Sequence, residues 1–480
     1  EKPLSVDEIF VAVYRSLFLD FIVPEIGTTS EPVNKLILSI PNTYTPRHVD
    51  HLRNVIIQNF PQIRKDYIWF VSESDAIASY YLSKWHSLNI DRDEVCKQKI
   101  LDNIEHILVY DMGAGTLDLT YLSIKKDSDS ERTVNIEAKI GLNKAGNYLD
   151  YILATALIET HPQFPRILIE SSVDANLMRL SGILKHFIKN FVKPLLFTDD
   201  LIICDDFNGE QILVGDQNIS FSDVEIDLKK LREHHAVQEF INECTGRLLD
   251  NFFTIYNKEE GNVPIDTVVL SGRSVQFGDS SRGIEHSLME AVYRWNNSSS
   301  DVYVIRIKGD DLKKIVVNGA LSFATTYCGE GSSVKIINKN IYASYGLIYT
   351  KPDGRTTYVE LLSPTTKPTK EPNLEFNSTN GVFIYQYDTD IYRADGSTRG
   401  TKINLSGSPM AYFVQSYSTD PAKDWDEENR ELISVMFEFS PRSVVVNPRI
   451  DLVQVPVRIV VNEHNEMVFH AGIITNDSLS

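Results

Sequence analysis

Residues 107–124, ILVYDMGAGTLDLTYLSI, decide the fold. Ile107, Leu108, Val109 and Tyr110 form a short, continuous apolar run, which predicts a buried strand. Asp111-Met112-Gly113-Ala114-Gly115-Thr116-Leu117-Asp118 follows at once, and residues 119–124 again read as strand. The glycine turn therefore joins two strands. That excludes the simple dinucleotide-binding unit, in which the glycines lead into a helix. Glycines let a backbone come close to a phosphate and aim several N–H groups at it, and Thr116 adds a hydroxyl donor. Asp111, at a strand end, suits a hydrated Mg²⁺, which takes a carboxylate or two and keeps its water. Asp118 lies past the turn, in position to order a water. The plainer alternative is a tight hairpin with acidic surface residues.

Upstream, Ser5-Val6-Asp7-Glu8 is a capping box, and Ile9, Phe10, Val13, Leu17 and Phe21 recur at helical spacing. Residues 36–40 (LILSI) read as a buried strand ended by Pro41. Thr45 is an N-cap with Pro46 at the first helical position, and Val49, Leu52 and Ile56 continue one helical face. Residues 69–71 form another short strand, and Ser74 is expected to cap a helix over 76–83. Glu73 has two readings: a hydrogen bond to a metal-bound water, or a cap for that helix. Residues 85–104 are polar and read as an inserted excursion.

Downstream, strands and helices alternate from about 150 to 330, as in an α/β domain. Residues 266–270 (DTVVL) are a strand, and Ser271-Gly272-Arg273-Ser274 is a loop before a helix near 285–295. Gly272 lets a nucleotide approach and Arg273 can stack on its base; an ordinary strand-to-helix turn with an exposed Arg is the alternative. Gly146 with Asp150 is a weaker candidate, since a helix-start glycine explains it. Past about residue 330, short alternating runs such as Val457, Ile459 and Val461 suit an antiparallel sandwich.

The 480 residues suggest about three domains at roughly 100–200 residues each. With 66 acidic against 47 basic side chains the net charge is −19, which argues against a general phosphate-backbone binder and hence against a nucleic-acid partner. A single anion held by backbone amides and a metal remains compatible with it. No run of 18 apolar residues predicts a membrane span, and no basic-then-apolar start predicts a signal peptide. Cys96, Cys204, Cys244 and Cys328 are widely spaced and read as reduced, buried thiols of a cytoplasmic protein rather than zinc ligands. A start at Glu1-Lys2-Pro3 without Met reads as the inside of a longer protein.

In order along the chain, residues 36–53, 72–78 (SESDAIA), 107–118, 141–150 (GLNKAGNYLD), 266–274 and 316–320 (VVNGA) resemble successive motifs of the DnaK-type, seventy-kilodalton heat-shock chaperones of the actin and sugar-kinase ATPase superfamily. Residues 345–347, 365–372 and 457–471 resemble parts of that family's peptide-binding sandwich. The resemblance implies α/β actin-like (ribonuclease H-like) ATPase lobes followed by an all-β sandwich. The expected division is 1–140 for the remainder of lobe I, 141–330 for lobe II and 331–480 for the sandwich. It implies ATP or ADP with Mg²⁺, unfolded or extended peptide clients, and a J-domain co-chaperone and nucleotide exchange factor as partners. Asp111 then matches the aspartate near Mg²⁺, and Gly113, Ala114, Gly115 and Thr116 the phosphate-binding turn. Asp118 matches the aspartate near the attacking water, and Glu73 the glutamate at the active-site edge. Gly146 matches a phosphate-side glycine, Gly272, Arg273 and Ser274 the adenosine loop, and Pro41 a proline that passes the nucleotide state onward.

This chain departs from the family pattern in several places. The family's first phosphate hairpin and its catalytic lysine have no counterpart, so ATP hydrolysis is expected of a full-length parent rather than of this chain. Ala114 adds a methyl to the glycine triple, and Ser74 replaces a proline. On the helix expected over 176–191, Lys185 and Ile188 stand where an acidic and a basic residue belong, and Lys189 alone keeps a basic character. The linker near 331–338 lacks its leucines, and Glu466 replaces a turn glycine. These departures keep two rivals open: a degenerate actin-like scaffold without turnover, and a small-molecule kinase of the same superfamily, against which the sandwich pattern argues.

Overall fold

A computed structural model describes residues 4–22, 36–60, 63–84, 104–127, 132–161, 169–170, 179–180, 187–197, 199–203, 211–214, 217–220, 225–256, 264–276, 278–279, 282–297, 302–307, 311–328, 334–338, 341–350, 355–364, 366, 376–377, 381–386, 402–404, 411–426, 430–439, 443–445, 452–461 and 467–471. The chain divides into two compact units. One comprises Glu1–Leu88, Ile315–Ser332 and Asn338–Ser480; the other comprises Asn89–Lys314 and Ser333–Ile337.

In the first unit, helix α1 (Val6–Leu17) begins at the expected capping box. Ser5 Oγ accepts from the Glu8 N–H at 3.2 Å and Glu8 Oε2 accepts from the Ser5 N–H at 2.7 Å. Strand β1 (Leu36–Ile40) leads to helix α2 (Pro46–Asn59), capped by Thr45 with Pro46 in its first turn. Strand β2 (Ile68–Ser72) pairs parallel with β1, Leu36 opposite Ile68. Leu38, Ile56, Phe60, Ile63 and Ile68 form the core beneath them.

Helix α3 (Glu73–Lys84) starts earlier than expected, and this changes its cap. Ser72 Oγ accepts from the Asp75 N–H at 3.2 Å. Ser74 lies inside the first turn, buried, with its hydroxyl 3.1 Å from Asn42 Nδ2. The expected capping role of Ser74 is thus taken by Ser72.

The second unit is built on one six-stranded sheet. Its strands are β3 (Glu105–Met112), β4 (Leu117–Lys126) and β5 (Arg132–Leu142), then, beyond helix α4 (Gly146–Thr160), β6 (Thr267–Ser271) and, beyond helix α5 (Ile284–Trp295), β7 (Tyr303–Arg306). After helix α6 (Asp311–Cys328), which belongs mainly to the first unit, comes β8 (Val334–Asn338). The sheet order is β7-β6-β3-β4-β5-β8. Strands β3, β4 and β5 form an antiparallel meander, and β6 and β7 run parallel to β3. Ile107, Leu108, Val109 and Tyr110 are all fully buried, as a continuous apolar run requires of a strand covered on both faces.

Returning to the first unit, strands β9 (Ser344–Thr350), β10 (Thr356–Leu362), β11 (Gly381–Gln386), β12 (Ala411–Ser416), β13 (Ile433–Phe439), β14 (Leu452–Val461) and β15 (Met467–Ala471) make two antiparallel sheets. One has the order β10-β9-β12-β13; in the other, β14 pairs with β11, β15 and Phe376–Asn377. Within this unit, Tyr417 Oη donates to the Asn42 carbonyl at 3.1 Å, and the Arg47 guanidinium donates to the Met436 carbonyl. In α6, a Cβ on Gly319 would lie 1.8 Å from the Ala76 carbonyl oxygen, so the absence of a side chain lets α6 meet α3 backbone to backbone.

The units depart from the expected boundaries. The 140/141 division falls inside β5, and the meander shares its sheet with β6 and β7. The physical reason is continuous backbone pairing: Thr267–Ser271 matches Ile107–Asp111 residue for residue. Residues 334–338, expected as linker, are the edge strand β8 beside β5. The helix expected over 176–191 is also different, because Arg179–Leu180 pairs antiparallel with Ile169–Glu170. A π-helical turn, Ile188–Val192, leads into Lys193–Leu195. The excursion at 85–103, most of the 365–372 stretch, Lys185 and Glu466 lie outside the described residues.

Candidate functional site

Three strands of the second unit end, and β4 begins, in one row. Ser271 on β6 is in register with Asp111 on β3, Asp111 with Asp118 on β4, and Asp118 with Gly141 on β5. Directly paired residues share a face of the sheet, so Ser271 and the two carboxylates stand side by side. They are buried, with exposures of 2% for Ser271, 6% for Asp111 and 1% for Asp118. The carboxyl ends of strands are where open α/β sheets take their ligands.

Three glycine segments meet above this row. The first is the turn 113–116, closed by the Gly113 N–H donating to the Thr116 carbonyl at 2.9 Å. The second is the start of α4. Its N-cap residue, Ala145, has no side-chain acceptor, so the turn supplies the cap. The Gly146 N–H donates to the Gly113 carbonyl at 3.1 Å and the Asn147 N–H to the Ala114 carbonyl at 2.7 Å. The third is the loop after β6, where Ser274 Oγ donates to the same Gly113 carbonyl at 3.3 Å.

Glycine is required twice at this junction. Gly272 has φ +87°, and a Cβ there would lie 2.1 Å from the Met112 carbonyl oxygen. A Cβ on Gly146 would lie 2.3 Å from Ser274 Oγ and 3.0 Å from the Gly113 carbonyl oxygen.

The capping bonds fix the direction of the turn's amides. In a trans peptide the C=O and the following N–H point opposite ways. The carbonyls of Gly113 and Ala114 point into the start of α4, so the N–H groups of Ala114 and Gly115 point away from it. Both residues are exposed, and the position a Cβ would take on Gly115 has nothing within 4 Å. Two adjacent amides on one exposed turn are a donor arrangement that can take an anion.

The structure brings together Asp111, Gly113, Ala114, Gly115, Thr116, Asp118, Gly146, Gly272 and Ser274. Gly146 is a packing glycine here, and its amide is committed to the turn. Arg273 is exposed on the loop of Gly272. Lys189 is also exposed, whereas Ile188 is fully buried in the unit's core. Glu73 belongs to the first unit as the first residue of α3, where burial pushes its carboxyl pKa up.

One residue at this junction carries no signal that the glycine motifs reveal. Lys193 Nζ is 2.7 Å from Asp150 Oδ1 and 3.1 Å from the Gly146 carbonyl oxygen, and both side chains are 5% exposed. Burial pushes the Lys193 pKa down, while Asp150's charge and hydrogen bond push it back up. A lysine set among Phe187, Val192 and Leu196, all buried, was the one available clue.

Among the described residues, no group of three or more His, Cys, Asp and Glu side chains is arranged to hold a metal ion. Mg²⁺ asks for less: one or two carboxylates with water completing its shell, which the Asp111–Asp118 row offers. Among the described residues, no helix is long and apolar enough to cross a membrane. Cys244 is a free, buried thiol whose pKa burial pushes up. No protein-family model matches the chain, and no curated protein matches it.

Proposed function

We propose that the second unit binds the phosphates of a Mg²⁺-nucleotide, ATP or ADP, as a lobe of DnaK-type, actin-like character, and that the sandwich strands of the first unit hold unfolded or extended peptide segments. The observation that carries the reading is the pair of outward amides at Ala114 and Gly115 next to two buried carboxylates. One further feature supports it. The glycine segments that converge are three of the stretches that carry the family resemblance.

In this reading the turn amides and the Thr116 hydroxyl hold phosphate oxygens. Asp111 holds the water shell of Mg²⁺, and Asp118 orients water beside it. Bound Mg²⁺-ATP supplies the phosphoanhydride and the charge neutralisation that phosphoryl transfer needs. Different affinities of the ATP and ADP states for two arrangements of the protein would couple nucleotide to peptide. Calorimetric titration of Mg-ADP tests the reading. Measurable binding to the wild type that is lost in Asp111→Ala is expected; equal, negligible heats for both would overturn it.

The second reading, a scaffold that binds nucleotide without turnover, is favoured by one observation: Ile188 is fully buried, at a position where the family resemblance calls for a basic residue at the adenosine. Single-turnover assays with γ-labelled ATP separate the two, since a scaffold leaves the bound label uncleaved.

A further inference from the structure

We propose that the buried Lys193–Asp150 ion pair is a positioning clamp for the phosphate-binding turn, an inference that rests on the nucleotide reading for its functional meaning but not for its geometry. Lys193 Nζ grips α4 at two points one helical turn apart, the Gly146 carbonyl at 3.1 Å and Asp150 Oδ1 at 2.7 Å. That same first turn donates the Gly146 and Asn147 amides to the Gly113 and Ala114 carbonyls. The N-cap residue Ala145 makes no side-chain cap, so the turn carbonyls cap α4 while the helix start, together with Ser274 Oγ on the Gly113 carbonyl, orients the turn. A rigid, desolvated anchor behind the first turn of α4 therefore sets the plane of two peptide groups, and with it the direction of the Ala114 and Gly115 amides.

Stability alone is a weak reason for such a pair. Desolvating two charges is costly, and a well-packed apolar pair of similar volume is often as stable. What the ion pair adds is a fixed direction: an ammonium that bonds a backbone carbonyl and a carboxylate at once holds a helix start at a defined distance. A displacement of the turn by a fraction of an ångström would spoil amide geometry toward a phosphate, because hydrogen bonds weaken steeply with misalignment.

The test uses the whole chain and two readouts. Lys193→Met alone leaves a buried carboxylate without its cation and is expected to unfold or loosen the unit, so the informative variant is the double Lys193→Met/Asp150→Leu, with Lys193→Arg as the conservative control. In the absence of nucleotide, hydrogen exchange at the Gly146 and Asn147 amides should rise about tenfold or more in the double variant while the core amides of β3 keep wild-type protection. Lys193→Arg should stay close to wild type. Mg-ADP, used as the probe, should bind the double variant about tenfold more weakly than the wild type. The clamp is overturned if the double variant exchanges those two amides at the wild-type rate, or if exchange rises equally throughout α4 and β3. Absence of Mg-ADP binding to the wild type would remove the nucleotide reading, yet the exchange comparison would still decide the clamp.

Discussion

Asp111 and Asp118 face each other across the β3–β4 hairpin, in register and both buried. Two carboxylates set opposite each other on adjacent strand ends are an arrangement that a hydrated divalent cation can join. Millimolar Mg²⁺ is therefore expected to raise the melting temperature of the wild type by about 2–4 °C, the shift that about 1 kcal/mol produces in a unit of this size, and to leave Asp111→Asn unchanged. Melting curves with and without Mg²⁺ check this; a wild type indifferent to Mg²⁺ would count against the carboxylates as a cation site.

The three glycine segments separate packing from ligand approach. Gly272→Ala forces a side chain onto φ +87° and against the Met112 carbonyl, and Gly146→Ala drives a methyl into Ser274 Oγ. Each should cost about 2 kcal/mol or more in urea unfolding. Gly115→Ala, with open space at its Cβ, should fold with near wild-type stability and lose nucleotide affinity, because the methyl occupies the space over the turn. A Gly115→Ala protein that binds Mg-ADP normally would show that the ligand does not approach there.

Histidine 161 gives a pH dependence whose sign follows from its bonds. Its Nε2 accepts from the Asp227 N–H at 3.1 Å, so the ring is neutral, with Nδ1 facing Thr160 Oγ1 at 2.8 Å. Burial pushes its pKa below the usual 6.5, against an upward pull from Asp227 and with a further push from Lys230. Between its folded pKa and 6.5 the unfolded chain binds more protons. Stability is therefore full above that range and falls as pH drops through it. The urea midpoint should decline from pH 7.5 to 5.5 in the wild type and decline less in His161→Gln, measured by tryptophan fluorescence. Equal slopes for the two proteins would show that His161 does not set this pH dependence.

How much of this was legible in the sequence depends on the range of the interaction that decides each feature. The helix starts at Ser5 and Thr45 rest on bonds three residues apart, and the residues themselves announce them. The 107–110 strand announces itself because a strand covered on both faces must be apolar throughout. The glycine turn between two strands was legible for the same local reason. Features set by pairing across distance were not. Whether 107–111 belongs with 267–271 is a matter of partner choice, and a boundary at 140 falls inside β5. The strand at 334–338 looked like a linker because an edge strand needs no distinctive side chains, only a free neighbouring edge. Ser72 and Ser74 are both competent caps, and the actual start of α3 at Glu73 chooses between them. Lys193 and Asp150, 43 positions apart, meet only through the packing of their two helical segments.

Nucleotide binding as proposed depends on the Ala114 and Gly115 amides donating to a phosphate. Selective ¹⁵N labelling of alanine and glycine in the full chain, followed through a titration with Mg-ADP, tests it at the atoms concerned. Saturable shifts of the Ala114 and Gly115 amide signals and slower exchange of both are expected. A smaller response is expected at Gly146, whose N–H is already committed to the Gly113 carbonyl. Binding of Mg-ADP that leaves the Ala114 and Gly115 signals unmoved would show that the turn amides do not hold the phosphate.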